Sequence, residues 1–508
     1  MTRRTFCTEA LATLAASGMG NALFAASGAP NLRVGLLSDI HMSGPSDAVW
    51  FEKALRYFDA QKVDAVAITG DLTRYARIAE MKYTPDVWFK VFPGDRRSDG
   101  GHVERLFITG NHDLDAWNES GRPPFGFKDR ADARQNCFYF NREKVWEEFF
   151  HEKYRPVMVK SCKGYVFVMR NWIPFLGNPA RCRDFPDLPL ETSPLKEVLS
   201  KLDGRLPKER PFFYLQHDQI DGTVNAPWLL GGEKFNNGYD DGLARSCLKA
   251  YPNCLALTGH SHYSLTDEMS IWQGEFTAVN CSCLGGYAFS YPGRENGFAG
   301  PDFHRKPPFE MDKFDHQAVH QGLVMDVYDD RIVFKRLDLA EGRSLGPDWV
   351  VPLFGGRTVP PHGMPKYDFA SRAKAAKAPR FAADAKVSVR RIKEGFRRTA
   401  GGFGGLDKSD PHPQFEVAFP PVTTASSPSR AFEFAVSAEI RDGDLVQVAV
   451  EKRVLSPNAM QSEAKDVAPC TCVFAASVVP SNCKVRFSVV PMDCWGNRGR
   501  AIVSDFIR

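Results

Sequence analysis

Short apolar runs that each end in a polar cluster recur along the first two thirds of the chain. RVGLLSD (33–39), VDAVAITGD (63–71), RLFITGNHD (105–113), YVFVMRN (165–171), FFYLQH (212–217) and CLALTGHSH (254–262) have the length and residue types of buried strands. Between the first two, DAVWFEKALRYFDAQK places apolar residues at 50, 51, 54, 55 and 58, one face of a helix. Strand, helix, strand in this order predicts a βαβ unit and a mainly parallel sheet at the start. Further on, GEFTAVNC, GLVMDVYDD and IVFKRLDL have no helix between them. They read as antiparallel strands, with a hairpin turn at Asp329-Asp330. The pattern predicts an α/β sandwich rather than a purely doubly wound sheet. Residues 114–140 and 285–320 show little periodicity, and loops of that length in a compact domain are usually functional or disordered.

The rhythm changes near residue 365. Residues 366–384 are Ala- and Lys-rich and read as a linker between a domain at 31–365 and another at 385–508. The basic residues up to Arg398 read as a solvated stretch rather than a nucleic-acid tail. KVSVRRI, QFEVAFP, AFEFAVSAEI, DLVQVAVEKRV, CTCVFAAS, KVRFSVVPMD and RAIVSDF then alternate as seven short strands, which predicts a small all-β sandwich. The closing VVPMDCWGNRGRAI resembles the last hairpin of fibronectin-type-III/Ig-like modules, with Gly496-Asn497 in the turn.

Composition adds bounds. At 508 residues two or three domains are expected, and 43% hydrophobic content is enough for a sizeable core. A net charge of +4 gives no reason to expect a nucleic-acid or anionic-membrane partner. Residues 1–30 read as an export signal: Arg3-Arg4, a weakly apolar run, then small residues around Ala25 to Ala29. The pattern resembles a twin-arginine leader, so the expected location is periplasmic or extracellular. No later run is apolar and long enough to span a bilayer. Of twelve cysteines, Cys7 falls in the leader, and export permits disulfides. Close candidates are Cys247 with Cys254, and two among Cys470, Cys472, Cys483 and Cys494.

The polar ends of the strands carry the chemistry. They are Asp39-Ile40-His41, Gly70-Asp71, Gly110-Asn111-His112-Asp113, His217, and Gly259-His260-Ser261-His262. Each follows an apolar run at its C-terminal side, the edge of an α/β sheet where ligands bind. Carboxylates and imidazoles at this density repel one another or lose heavily on desolvation unless a cation is present. Nitrogen and oxygen donors without thiolate suit zinc, manganese or iron, and the number of donors suits two ions. A Gly-rich turn would let His260 and His262 face one centre. Taken singly, SDIH or GNHD is an ordinary turn sequence; the ordered set is the signal. His102, His151, His316, His320, His362 and His412 fall outside it.

D-x-H, G-D, G-N-H-D, H and G-H-x-H in this order resemble the calcineurin-like metallophosphoesterases, over about residues 32–340. The resemblance implies a four-layer αββα sandwich and two divalent metal ions of the Mn, Fe or Zn class. Asp39, His41 and His262 would hold the first, Asn111, His217 and His260 the second, and Asp71 would bridge. His112 would face the substrate, and Asp113 would orient His112 and raise its pKa by a hydrogen bond. The implied activity is hydrolysis of a phosphate mono- or diester by metal-activated hydroxide, on a small-molecule, lipid or nucleotide substrate. Two departures stand out: Arg74 in GDLTRYA, where relatives often have an acid, and QHDQ around His217. Trp117, Phe125, Tyr287 and Tyr291 would stack on a substrate base or sugar, or pack their loops on the core. The competing expectation is a non-catalytic metal-containing protein that contacts a cell surface or carbohydrate through its C-terminal sandwich.

Overall fold

The computed structural model describes residues 28–114, 127–172, 195–202, 204–206, 208–224, 243–286, 310–311, 319–398, 406–425, 427–461 and 469–507. The leader, Cys7, Cys182, Trp117, Phe125, Tyr287, Tyr291 and His316 lie outside the described residues.

Strands β1 (Leu32–Leu37), β2 (Ala65–Thr69) and β3 (Glu104–Ile108) pair in parallel in that order. On the other side of β1, β11 (Gln321–Val327) runs antiparallel, and β12 (Arg331–Asp338) folds back on it. Tyr328 N–H donates to the Arg331 carbonyl at 2.8 Å, so the hairpin turns at Asp329-Asp330 as the pattern predicts. β13 (Arg343–Ser344) and β14 (Trp349–Pro352) both pair with β12 and complete a seven-stranded sheet.

A second sheet is built from β4 (Val157–Cys162), β5 (Tyr165–Arg170), β6 (Phe212–Leu215), β7 (Cys254–Thr258), β8 (Ile271–Gln273) and β9 (Thr277–Asn280), in the order β4-β5-β6-β7-β9-β8. Here the antiparallel expectation for residues 277–280 fails. β9 runs parallel to β7, because the short β8 doubles back beside it and takes the edge.

Strict alternation divides the faces of this sheet. Phe213, Leu215, Leu255 and Leu257 join Leu36, Ala67 and Ile68 of the first sheet in one core. Phe212, Tyr214, Cys254 and Ala256 point the other way, towards Leu199 of α4 (Leu195–Leu202) and Leu248 of α5 (Leu243–Leu248). On the far side of the first sheet, α1 (Pro45–Ala60) buries Phe51, Ala54, Leu55 and Phe58, beside α2 (Tyr83–Val91). The layers are therefore helix, sheet, sheet, helix. A single helical turn, α3 (Asn111–Leu114), follows β3.

The second half of the expected loop 114–140 is helical. Asp129 caps residues 130–136, and the helix over 138–150 buries Phe138, Trp146 and Phe150. The stretch 366–384 likewise contains a helix, α6 (Phe369–Ala375). Asp368 caps it by accepting the Ser371 amide at 2.7 Å, and Phe369 meets Trp495 edge-on at 5.5 Å. One cap and one apolar anchor suffice for a seven-residue helix, and neither shows against an Ala/Lys background.

All seven tail segments are strands. β15 (Ser388–Arg398), β16 (Leu406–Phe419) and β19 (Cys470–Ala475) form one sheet. β17 (Glu433–Asp442), β18 (Leu445–Leu455), β20 (Lys484–Met492) and β21 (Ile502–Val503) form the other. Phe415, Val417, Phe434, Val436, Phe474 and Phe487 fill the space between them. β10 (Glu310–Met311), from the segment between β9 and β11, adds to β18 in parallel. No disulfide joins Cys247 to Cys254, or any two of the tail cysteines. Cys254 points into the core on β7, and Cys470 and Cys472 are successive same-face residues of one strand packed into the sandwich core. Among the described residues no helix is long and apolar enough to cross a membrane.

Candidate metal centre

Parallel pairing brings the C-terminal ends of β1, β2, β3, β6 and β7 to one rim, and backbone bonds stitch them. Asp39 N–H donates to the Gly70 carbonyl and His41 N–H to the Asp71 carbonyl, both at 3.0 Å. Gly259 N–H donates to the His217 carbonyl at 2.8 Å, which ties the β6 and β7 ends together.

The convergence does not rely on glycine alone. Asp39, His41, Asp71, His260 and His262 all have φ between +49° and +66°, the left-handed region. Non-glycine residues there are uncommon, with Asp and His better tolerated than most, and the strain persists where the surroundings over-determine it. At 260–262 the two histidines themselves turn the chain, in place of the expected glycine turn. Glycine matters instead for clearance. A Cβ on Gly110 would stand 2.2 Å from Asp71 Oδ1 and 2.8 Å from His217 Cδ2, and one on Gly259 would stand 1.8 Å from Ser38 Oγ. Gly110→Ala should therefore lower metal affinity at least about tenfold, the scale seen when a ligand's support is disturbed. Metal titration of the folded variant checks this, and unchanged affinity would contradict it.

Two groups of donors meet. Asp39, His41, Asp71 and His262 form one, and Asp71, His217 and His260 the other, each with ligand atoms within 4.8 Å of one another. Asp71 belongs to both. Asn111 joins the second group, its Oδ1 lying 2.9 Å from His217 Nε2. His102, His151, His320, His362 and His412 belong to neither group among the described residues.

The charge pattern calls for cations. Asp39 Oδ1 and Asp71 Oδ2 are buried and accept no hydrogen bond from the described residues. Asp39 Oδ1 lies 2.9 Å from His262 Nε2 and 3.7 Å from His41 Nε2; Asp71 Oδ2 lies 3.2 Å from His217 Nε2 and 3.6 Å from His41 Nε2. His41 Nε2 and His262 Nε2 are 3.1 Å apart. His217 Nδ1 donates to the Thr69 carbonyl at 2.8 Å, so its Nε2 lone pair faces the Asp71 carboxylate. Lone pairs directed at one another at this range repel unless a proton or a cation lies between them. The donor set thus fits two divalent cations, with a carboxylate common to both groups and no thiolate ligand.

Without cations, protons do that work. Burial holds His41 down to about 4 and His260 to about 3, so both imidazoles stay neutral. Burial also opposes charge on His217, but Asp71 and Asp39 outweigh it and raise it to about 10. For His262 burial is outweighed by Cys283 and Asp39, and its pKa rises well above the usual value. Against the same burial, His262 and His217 hold Asp39 well below the carboxylate range, and His217 and His112 do so for Asp71. Metal ligation needs neutral imidazole. Loading the centre at pH 7 should therefore expel the protons of His217 and His262, and affinity should fall as pH falls. Calorimetry in buffers of different ionisation enthalpy counts those protons; loading with no proton release would refute this charge state.

The GNHD turn departs from its expected roles at Asp113. The Asp113 carboxylate accepts from the amides of Gly110 (2.8 Å), Leu72 (3.1 Å) and Thr73 (2.7 Å) and from Thr73 Oγ1 (2.9 Å). These bonds staple the β2 and β3 ends together and leave nothing for the His112 ring. Burial, with Asp71 nearby, pushes the Asp113 carboxyl up to about 7, against the pull of those amides. The partner of the ring is the Arg74 carbonyl, 2.8 Å from His112 Nδ1. The Arg74 side chain is exposed, so this residue acts at the site through its backbone. His112 N–H also donates to Asp71 Oδ1 at 2.8 Å, and its ring stands edge-on to His41 at 4.6 Å.

Several supporting residues carried no motif. Asn171 Oδ1 accepts the Thr109 amide at 2.8 Å and ties the two sheets together behind α3. Asn280, at the end of β9, donates to Ser261 Oγ at 2.7 Å. Asn280 had a sequence signal, a polar residue closing an apolar run like the other strand ends; Asn171 closes YVFVMRN in the same way.

Comparison with known proteins adds a family match. Residues 32–264 match the family described as calcineurin-like phosphoesterase. No curated protein matches the chain. Among solved structures, similarity is found to a dimetal phosphatase from Danio rerio (12% identity, 64% of this chain and 99% of that chain, TM-score 0.35). It is also found to purple acid phosphatase PPD1 from yellow lupin, Lupinus luteus, seeds (13%, 64% and 55%, TM-score 0.36). A third is GAP50, the anchor in the inner membrane complex of Plasmodium (12%, 63% and 88%, TM-score 0.32). Overlaps this low carry no argument about activity. The family match, together with an αββα sandwich and a buried Asp/His cluster at its rim, makes residues 32–264 a calcineurin-like phosphoesterase domain.

Proposed function

We propose that the protein is an exported dinuclear-metal hydrolase of phosphate mono- or diesters. The observation that carries this reading is the sharing of Asp71 between two buried donor groups beside His112. Asp39, His41 and His262 would hold one cation and Asn111, His217 and His260 the other, with Asp71 common to both. When bound, two such cations supply positive charge for the phosphoryl oxygens and make water acidic enough to attack at neutral pH. The rest falls to the chain. The strained strand ends hold the donors in place before substrate arrives, so no reorganisation is needed at the moment of reaction. With Nδ1 bonded to the Arg74 carbonyl, His112 keeps Nε2 for the substrate; as the imidazolium it would carry a second proton there, to hydrogen-bond a phosphoryl oxygen or pass to the leaving oxygen.

The Arg3-Arg4 leader supports export, and sheets of three and four tail strands around one core support a fibronectin-III/Ig-like module. p-Nitrophenyl phosphate and its bis-ester, offered with manganese or zinc, test the activity. Hydrolysis of at least one, abolished by a chelator, is expected. A metal-loaded protein inert towards both would favour the non-catalytic surface-binding reading.

A further inference from the structure

A buried turn of the C-terminal sandwich reaches the metal-site loops. After β18 the chain turns at residues 456–461, where Ser456 N–H donates to the Phe432 carbonyl at 2.8 Å. Ala459 and Met460 are buried, packed with Val319, Phe432 and Leu455. Their carbonyls point into the phosphoesterase domain. Met460 O accepts from Gln321 Nε2 at 2.7 Å and from Ser264 Oγ at 3.3 Å, and Ala459 O accepts from Thr266 Oγ1.

Those donors belong to the chain that supports the ligands. Ser264 and Thr266 follow directly on His262. Gln321 Oε1 accepts the Leu265 amide at 2.8 Å and Ser282 Oγ at 3.0 Å. Ser282 has φ +63°, and the residues just after it lie under Asp39: Cys283 Sγ donates to the Asp39 carbonyl at 3.3 Å and Gly285 N–H at 2.8 Å. One buried side-chain amide thus joins a tail-domain carbonyl, the continuation of the His260–His262 loop, and the segment beneath Asp39. A buried carbonyl must be paired, and a fully used buried amide has a single orientation. Left-handed His260, His262 and Ser282 hold their conformations only where the surroundings dictate them.

We infer that the C-terminal sandwich is a positioning element of the metal centre: the Ala459 and Met460 carbonyls, through Thr266 and Gln321, fix the loops that carry His260 and His262 and that underlie Asp39. This rests on the dinuclear reading. It also means that the tail is not merely an attachment module.

Full-length variants test it. Thr266→Val keeps the shape and removes the donor to Ala459; Gln321→Leu removes the link to Met460. Asn497→Ala loosens a tail contact outside the network, Asn497 Nδ2 to the Ala373 carbonyl at 3.2 Å. Affinity for Mn²⁺ or Zn²⁺ is read by competition with a chromogenic chelator, folding by circular dichroism, and loop order by amide hydrogen exchange over 259–266. Thr266→Val and Gln321→Leu should bind metal tenfold or more weakly with faster exchange in that window. Thr266→Ser should restore both, and Asn497→Ala should change neither. If Gln321→Leu does not fold, Thr266→Val and its serine rescue carry the test. A folded Thr266→Val chain with wild-type metal affinity overturns the inference. Equal weakening by Asn497→Ala overturns it too, since general loosening would then explain the loss. Failure of the dinuclear reading shows separately, as a wild-type chain that takes up no metal at all.

Discussion

Asp71→Asn should cost the protein its metals first and its activity as a consequence. Asp71 stands in both donor groups, and its Oδ2 faces His217 Nε2 at 3.2 Å and His41 Nε2 at 3.6 Å. The amide is nearly isosteric, so the backbone bond from His112 N–H can persist while the charge common to both cations is lost. Disturbing a ligand's supporting partner costs about 10–100-fold in metal affinity, and loss of a shared ligand should reach at least about 100-fold. Elemental analysis after dialysis reads this directly. Retention of two metals per chain by the variant would sink the assignment of Asp71.

His112→Ala should show the reverse order. Turnover should fall by about 10²–10⁴-fold, the range for a lost proton-transfer group. That corresponds to about 3–5 kcal/mol of transition-state stabilisation. Metal content should stay near wild type, because the ring is anchored to the Arg74 carbonyl and belongs to neither donor group. Steady-state kinetics on metal-saturated enzyme, with metal counted in parallel, separates the two roles. If both variants lost metal equally, the division between holding the ions and serving the substrate would be wrong.

A nearby comparison tests the reassigned Asp113. Its carboxylate holds three amides and a hydroxyl that join the β2 and β3 ends. Asp113→Ala leaves these buried donors without a partner, and each such loss costs about 1–3 kcal/mol. Thermal stability should therefore drop markedly. A variant that kept its stability and lost only turnover would return Asp113 to the catalytic role expected from the motif.

The sequence by itself determined the strands and their polar ends. Apolar runs of buried-strand length, and a carboxylate, amide or imidazole at each C-terminal end, are properties of a few consecutive residues. Periodicity reports those directly, as at RLFITGNHD and CLALTGHSH. The seven alternating tail segments were legible for the same reason. The tertiary structure alone decided which groups meet whom. Asp113 serves the amides of Leu72 and Thr73, some forty positions away, and His112 takes the Arg74 carbonyl. Left-handed backbone at Asp39, His41, Asp71, His260 and His262 turns the strand ends towards one rim, a conformation that the apolar runs before them do not announce. β9 runs parallel because β8 occupies the edge, and Gln321 finds Met460, 139 residues further on. Hydrogen-bond partners, backbone strain and sheet edges depend on what the fold brings alongside, and no local pattern of residues encodes that.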